Sequence, residues 1–328
     1  MIFNYKYLKY YLFISLISCN FNKDQDTIKN KQDNVIIPSF NQDSAYKNIS
    51  DQVNFGPRVP GSKEHYECKN YISKKLSNYC DTLILQDFEA VTFDNKILNS
   101  TNIIGSFSPN KAKRILLCAH WDTRPFADQD SINKNKPIIG ANDGASGVGV
   151  LIEIARQFSI LKPKIGVDII FFDVEDYGQP DNSDLPRVDN SYCLGSQYWS
   201  NNPHKRNYFA KYGILLDMVG GEKAIFTQEL ASVEFAPKVL NKVWSTGIQL
   251  GFNEYFSFEK TGLIVDDHLY INNLTKGRVP TINIIEHDKK TKSKFYKHWH
   301  THNDNIENID RQTLKVVGQT LLHVIYKE

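Results

Sequence analysis

The chain has 328 residues and a nearly even charge balance, with 39 lysines and arginines against 37 acidic residues. Hydrophobic residues make up 41% and charged residues 23%, which is ordinary for a soluble globular protein. Because no basic block stands out at the level of the whole chain, we expect no nucleic-acid partner.

The amino terminus predicts export. Lys6 and Lys9 precede a short apolar run, 10–17, which is too short to span a bilayer and has the layout of a signal peptide. The run ends in Leu-Ile-Ser-Cys19, which resembles a bacterial lipobox. We therefore expect a lipoprotein signal peptide over residues 1–18 and a membrane-bound lipid on Cys19, in the periplasm or outer membrane of a Gram-negative bacterium. An ordinary signal peptide with an incidental Cys19 is the alternative.

The next segment, 19–42, is rich in Asn, Lys, Asp and Gln, and this composition predicts a flexible tether. No internal repeat or second linker follows, so residues 43–328 are expected to form one domain, and the protein is expected to be a monomer. The remaining cysteines lack a CxxC pair and zinc-finger spacing, so we expect buried, inert thiols and leave any disulfide pairing open. They are Cys68, Cys80, Cys118 and Cys193.

Apolar spacing predicts three helices and six strands along this domain. The helices are expected over 62–78, 144–158 and 312–326, and the strands over 82–93, 100–105, 114–119, 167–172, 212–216 and 280–285. Strands that alternate with helices indicate an α/β fold with a largely parallel central sheet. Ligand sites in such sheets lie beyond the carboxyl ends of the strands.

Acidic and imidazole residues follow three of the predicted strands directly, and others lie in a glycine-rich loop and near the carboxyl terminus. They are His120, Asp122, Asp173, Glu175, Asp176, Asp217, Asp143 and His300. Each has an ordinary alternative, such as a helix N-cap or a solvated loop residue. Together they would repel one another at one sheet edge unless a divalent cation bound there. Oxygen and imidazole donors without thiolates suit zinc, with manganese or another first-row metal left open.

From about Asn54 onward the chain resembles the zinc aminopeptidase family that also contains the animal-type glutaminyl cyclases. The resemblance is carried by the motifs His-Trp-Asp122, Gly-Ala-Asn-Asp143-Gly-Ala-Ser-Gly, Phe-Phe-Asp-Val-Glu175-Asp, Leu-Leu-Asp217 and Trp-His300-Thr. It implies a three-layer α/β/α fold with a mixed, mostly parallel central sheet, and a single catalytic domain over 43–328.

The resemblance also implies roles for individual residues. Asp143, Asp176 and His300 would be the zinc ligands, and Glu175 the general base and acid. His120 and Asp217 match positions that hold a second metal in the aminopeptidases, whereas the cyclases keep similar residues and use one zinc.

Three further residues favour the cyclases of the bacterial branch. Trp299 precedes the histidine ligand, Asp266 matches a substrate-contacting aspartate, and Phe295 matches a pocket aromatic, although core packing is an alternative for both rings. Trp121 is expected to contact substrate as well, and Asp217 to assist catalysis.

The resemblance therefore implies an enzyme that converts amino-terminal Gln of peptides to pyroglutamate with one zinc ion. The alternatives are a two-metal aminopeptidase and a non-catalytic binding lipoprotein. Two departures stand out: Asn283 replaces a histidine of the animal enzymes, and the polar segment 178–190 lacks their pocket tryptophan. The animal disulfide positions fall on Ala119 and Val148, so that bridge is absent.

Overall fold

A computed structural model describes residues 35–328, which form one compact unit. The predictions for the signal peptide and for Cys19 lie outside the described residues. Residues 35–42, predicted as the end of the tether, instead pack on the domain. Phe40 is buried against Gly318, and its backbone N–H donates to Oε1 of Gln319 at 2.8 Å. The folded unit therefore begins earlier than composition indicated.

The domain contains eight α-helices, eight strands and one 3₁₀ helix, Ile306–Asn308, within residues 35–328. The helices are α1 Gln42–Val53, α2 Lys63–Ser77, α3 Ala145–Ile160, α4 Leu194–Asn201, α5 Leu230–Phe235, α6 Pro237–Gln249, α7 Asp267–Leu274 and α8 Arg311–Tyr326. The strands are β1 Thr82–Val91, β2 Ile97–Phe107, β3 Arg114–His120, β4 Gly166–Phe172, β5 Gly213–Asp217, β6 Phe226–Gln228, β7 Phe256–Lys260 and β8 Thr281–Ile285.

Six strands form the central sheet in the order β1-β2-β4-β3-β5-β8. β2 runs antiparallel to both of its neighbours, whereas β4, β3, β5 and β8 pair in parallel. The prediction of a mixed, mostly parallel sheet is confirmed. Strands β6 and β7 form a separate parallel pair.

Alternate residues of the central strands pack into two different cores. On β3, Ile115 and Leu117 belong to a large cluster with α1, α2, α3, α6 and α8, while Leu116 and Cys118 belong to a cluster with α4 and α7. Because successive strand residues point to opposite faces, a strand buried on both sides must be apolar throughout. The two clusters make the three-layer α/β/α arrangement.

All nine predicted elements are present with boundaries shifted by a few residues. Helix α2, for example, begins after Ser62, whose hydroxyl accepts a hydrogen bond from the N–H of His65 at 3.1 Å. Helices α1, α4, α5, α6 and α7 and strands β6 and β7 were not predicted. Among the helices of residues 35–328, none combines the length and apolar character that a bilayer crossing requires.

Candidate active site

The carboxyl ends of β3, β4 and β5 meet the start of α3 and the loop before α8, and two groups of metal-ligand side chains form there. In the first, single ligand atoms of Asp143, Asp176 and His300 lie within 4.8 Å of one another, and all three residues are buried. Nε2 of His300 is 3.3 Å from Oδ1 of Asp176 and 3.7 Å from Oδ2 of Asp143. This is the set that the resemblance implies.

The second group is His120, Asp143 and Asp217, also buried and within 4.8 Å. Nε2 of His120 lies 3.0 Å from Oδ1 of Asp143 and 3.3 Å from Oδ1 of Asp217. Although burial opposes it, the neighbouring carboxylates of Asp122, Asp143 and Asp217 hold the pKa of His120 well above its usual value. Asp143 belongs to both groups and therefore lies at the centre of the site.

Backbone hydrogen bonds hold these residues in place. Asp122 accepts hydrogen bonds from the N–H groups of Glu175 at 3.0 Å and Asp176 at 3.2 Å, which fixes the loop after β4. Asp304 accepts a hydrogen bond from the N–H of Asp143 at 3.0 Å. Asp143 does not cap α3, because the N-cap is Gly144, so the alternative capping role is excluded.

Gly144 lets the start of α3 approach the end of β3. Its φ is +91°, and an added Cβ would lie 2.7 Å from the carbonyl oxygen of Asp122 and 3.1 Å from Cε1 of His120. Only glycine combines this backbone conformation with so close an approach.

The donor set fits a zinc ion. Oδ2 of Asp143, Oδ2 of Asp176 and Oδ1 of Asp217 are buried and have no hydrogen-bond partner in the part of the chain that is described. A buried polar atom without a partner carries a free-energy cost, and a cation bound to carboxylate oxygens and imidazole removes it. The carboxylates that were predicted to repel one another are thus close together in the fold.

Glu175 lies at the edge of this group. Its Oε2 is 3.9 Å from Nδ1 of His120, and its Oε1 accepts a hydrogen bond from the thiol of Cys193 at 3.1 Å. Burial, and then the neighbouring charge of Asp176, raise the pKa of Glu175 well above its usual value, while His120 opposes the shift. Burial also raises the pKa of Asp217 to about 7. These are the environments in which carboxylates exchange protons near neutral pH.

A cavity of about 160 Å³ opens directly onto the ligand groups. Phe295 and Trp299 form one wall, with ring centroids 4.9 Å apart, and Trp299 also stacks on the ring of His300. Glu175 and Asp266 face the same cavity. The structure therefore brings the predicted base, the predicted substrate contact and both aromatic rings to one small space.

Asp266 is the N-cap of α7 and accepts a hydrogen bond from Nδ2 of Asn283 at 2.6 Å. The neutral amide of Asn283 is thus the partner of this carboxylate. Burial raises the pKa of Asp266.

The prediction that Trp121 contacts substrate is wrong. Its ring is fully buried, stacks on His65 with centroids 4.2 Å apart, and donates from Nε1 to the carbonyl oxygen of Thr101 at 3.2 Å. Trp121 points to the sheet core, whereas the neighbouring His120 points to Asp143 and Asp217.

Comparison with known proteins agrees with this geometry. The family profile described as Peptidase family M28 matches residues 102–325. The chain belongs to peptidase family M28. It is 49% identical to Bacteroides thetaiotaomicron glutaminyl cyclase bound to N-acetylhistamine, with a TM-score of 0.86 over 89% of this chain and 100% of that one.

Two further M28-like relatives bear on the chemistry. A Zn-dependent exopeptidase from Parabacteroides distasonis is 46% identical, with a TM-score of 0.87 over 89% of this chain and 100% of that chain. The glutaminyl-peptide cyclotransferase of Gloydius blomhoffii is 26% identical over 289 residues, which cover 80% of this chain and 75% of that protein. The M28 fold thus accompanies both a cyclase and an exopeptidase among these relatives.

The backbone of this M28 site is strained at several points. Val174, Cys193, Met218 and His300 have left-handed φ values of 54°, 59°, 49° and 55°. Such values are uncommon for non-glycine residues, and for a β-branched residue such as Val174 they are outliers that concentrate at active sites. Each is a site residue or lies next to one in sequence or space, so the strain marks the same site.

Two contributors were missed by sequence reasoning. Asp128 accepts hydrogen bonds from Nδ1 of His300 at 3.0 Å and from Nε of Arg124 at 2.7 Å. Cys193, which was expected to be an inert thiol, donates a hydrogen bond to Glu175. Asp128 lies in a loop with no periodic pattern, and Cys193 lies 18 residues from its partner. All four cysteines between residues 35 and 328 are free thiols.

Proposed function

We propose that the chain is a glutaminyl-peptide cyclotransferase that converts amino-terminal Gln of peptides and proteins to pyroglutamate and releases ammonia. The observation that carries this proposal is the shared cavity: Glu175, Asp266 and Trp299 surround a volume that suits one side chain, next to the zinc ligands. Glutaminyl cyclisation needs one folded side chain, a base and an acid at the departing nitrogen. The similarity to a bacterial glutaminyl cyclase over 89% of the chain supports the same activity.

In this mechanism the zinc site is held by Asp143, Asp176 and His300. Zinc bound there supplies Lewis-acid chemistry at a carbonyl oxygen. The α-amine nitrogen forms a bond to the γ-amide carbon of the same Gln, and the bond from that carbon to the amide nitrogen breaks. Glu175 accepts a proton from the amine and donates one to the departing ammonia.

The remaining cavity residues position the substrate. Asp266 and Asp217 hydrogen-bond the leaving nitrogen, while Phe295 and Trp299 exclude water and hold the side chain in its ring-closing conformation. Because nucleophile and electrophile belong to one residue, this positioning contributes a large part of the acceleration.

One zinc ion per chain is proposed. Nε2 of His120 lies within 3.3 Å of both Asp143 and Asp217, so a proton on this imidazole would offset their charge without a second metal. An aminopeptidase acting through two metals would instead need neutral His120 as a ligand.

The chain's place in the cell is part of the proposal. Export through the segment 1–18 and lipid attachment at Cys19 would deliver the monomeric enzyme to periplasmic or secreted proteins whose new amino terminus is Gln. This rests on the sequence pattern alone.

The test uses purified protein with Gln-initiated and Leu-initiated peptides, together with metal analysis. We expect ammonia from the Gln peptide only, one zinc per chain, and a loss of activity of about 10²–10⁴-fold in Glu175→Gln. Glu222→Gln is the matched control, since Glu222 is exposed and does not line the cavity. Free Leu with two metals per chain would make the protein an aminopeptidase instead.

A further inference from the structure

A segment beside the active-site cavity concentrates positive charge. Five of the nine residues from 289 to 297 are lysines and none is acidic, although the whole chain has nearly equal numbers of basic and acidic residues. The same segment supplies Phe295, a wall of the cavity. The charge is therefore adjacent to the place where a substrate's first residue would bind.

Three lysines line a groove of about 610 Å³ that shares Trp299 with the cavity. They are Lys134, Lys292 and Lys297. All three are exposed, and none forms an ion pair with a carboxylate between residues 35 and 328. We call this the lysine groove. It is several times larger than the cavity, so it has room for the residues that follow a buried amino-terminal one.

The acidic side chains of the lysine groove already have cationic partners. Asp128 is bound by Arg124 and His300, and Asp181 pairs with Arg187 at 3.5 Å. In the lining of the groove, the three lysines are therefore the charged groups without an oppositely charged partner. Apart from Trp299, the rest of its lining is polar, with Gln129, Asn182, Thr291, Ser293 and Thr301 able to hydrogen-bond an extended peptide.

A second groove, of about 640 Å³, is also lined by this segment and shares Ile264 and Phe295 with the cavity. One of its three lysines, Lys289, forms an ion pair with Glu259. Lys260 and Lys294 remain, and they provide a matched comparison.

We propose that the lysine groove binds the residues following the amino-terminal Gln and selects peptides with acidic side chains there. The inference rests on the proposed function and adds a substrate preference to it. Each exposed charge contact contributes modestly, about 1.5- to 5-fold in binding, so several together give a measurable preference. We expect the peptides to differ in KM and not in kcat, because the contacts are remote from the reacting atoms.

The experiment compares ammonia release from Gln-Glu-Glu-Ala, Gln-Ala-Ala-Ala and Gln-Lys-Lys-Ala peptides by the full chain. We expect kcat/KM for the Glu peptide to exceed that for the Lys peptide by about tenfold at ~0.01 M ionic strength, and the ratio to approach one at ~1 M, where charges are screened within about 3 Å. The double variant Lys292→Glu/Lys297→Glu should invert the ratio. The matched variant Lys260→Glu/Lys294→Glu should keep it.

A ratio within each variant does not depend on the fraction of folded enzyme, so partial misfolding does not obscure the result. Equal turnover of the three peptides by the unmodified protein would overturn the groove's role and leave the cyclase assignment intact. Inversion by the Lys260/Lys294 variant alone would also overturn it, because the peptide would then lie in the other groove. No ammonia from any Gln peptide would instead contradict the proposed function itself.

Discussion

The thiol of Cys193 lies 3.1 Å from Oε1 of Glu175 and donates a hydrogen bond to it. Burial, and then the negative charge of Glu175, raise the pKa of Cys193 well above its usual value, so the thiol stays protonated and remains a donor. Cys193 has a left-handed backbone and precedes α4, which begins at Leu194. The start of this helix thus orients the carboxylate that is proposed to move the proton.

Replacing this donor should slow the reaction without abolishing it. We expect Cys193→Ala to lower kcat by about tenfold, since a hydrogen bond to a charged group is worth roughly 1.5–3 kcal/mol and part of it is lost in the transition state. Cys193→Ser keeps a donor and should recover most of the rate. Equal rates in the two variants would show that the thiol only fills space.

Asp128 should set the affinity for the metal through His300. It accepts the hydrogen bond from Nδ1 of His300, and carboxylates in this position fix the ligand ring and increase its basicity. We expect Asp128→Asn to weaken zinc binding by about 10–100-fold, measured by competition with a chelator.

Asp130 provides the matched control for Asp128. It makes a similar contact with Nδ1 of His302, at 2.9 Å, but His302 belongs to neither ligand group. Asp130→Asn should leave zinc affinity unchanged. A similar loss in both variants would mean that the loop, not the hydrogen bond, controls the site.

Asn283 should support substrate binding through Asp266. The isosteric change Asn283→Leu removes the donor at 2.6 Å and leaves the buried carboxylate without that partner. We expect kcat/KM for a Gln peptide to fall by about tenfold or more, while hydrolysis of a Leu peptide stays absent. An unchanged kcat/KM would remove Asp266 from the proposed mechanism.

Glu286 should make stability depend on pH. Burial, and then repulsion by Asp288, raise its pKa to about 8, and Oε2 has no partner in the described part of the chain. Because the folded pKa exceeds the usual 4.5, the stabilisation is present below pH 4.5 and is lost as the pH rises through about 8.

The change Glu286→Gln removes this titration. We expect it to raise Tm at about pH 9 relative to the unmodified protein, by roughly 2–4 °C per kcal/mol, and to do so much less at about pH 4. The exposed Glu222→Gln serves as the control. The same Tm difference at both pH values would contradict the raised pKa.

Removing the metal should destabilise the protein most above neutral pH. In the metal-free protein the pKa of Asp217 is about 7, above the usual 3.8, so its stabilisation is lost as the pH rises through 7. We expect a chelator to lower Tm more at about pH 8 than at about pH 5. Addition of zinc should restore Tm, and a pH-independent loss would contradict this account.

Much of the fold was predictable because it depends on local pattern. The residues 115–119 are all apolar, which indicates a strand buried on both faces, and Ser62 marks a helix start. Helix α7 was missed because its hydrophobic periodicity is weak and its first residues are polar. The packing of Phe40 was missed because one apolar residue in a polar stretch gives no periodic signal.

The sequence by itself determined which acidic and imidazole residues follow the strands, and a parallel sheet brings the ends of its strands to one edge. The choice of Asp143, Asp176 and His300 as the zinc ligands came from the family resemblance. The tertiary structure decided which neighbouring side chains point into that edge. Trp121 and His120 are adjacent in sequence, yet strand alternation sends one to the core and the other to the site. Contacts such as Cys193 with Glu175 and Asp128 with His300 join separate loops. Hydrophobic periodicity along the chain does not predict which loops lie close together.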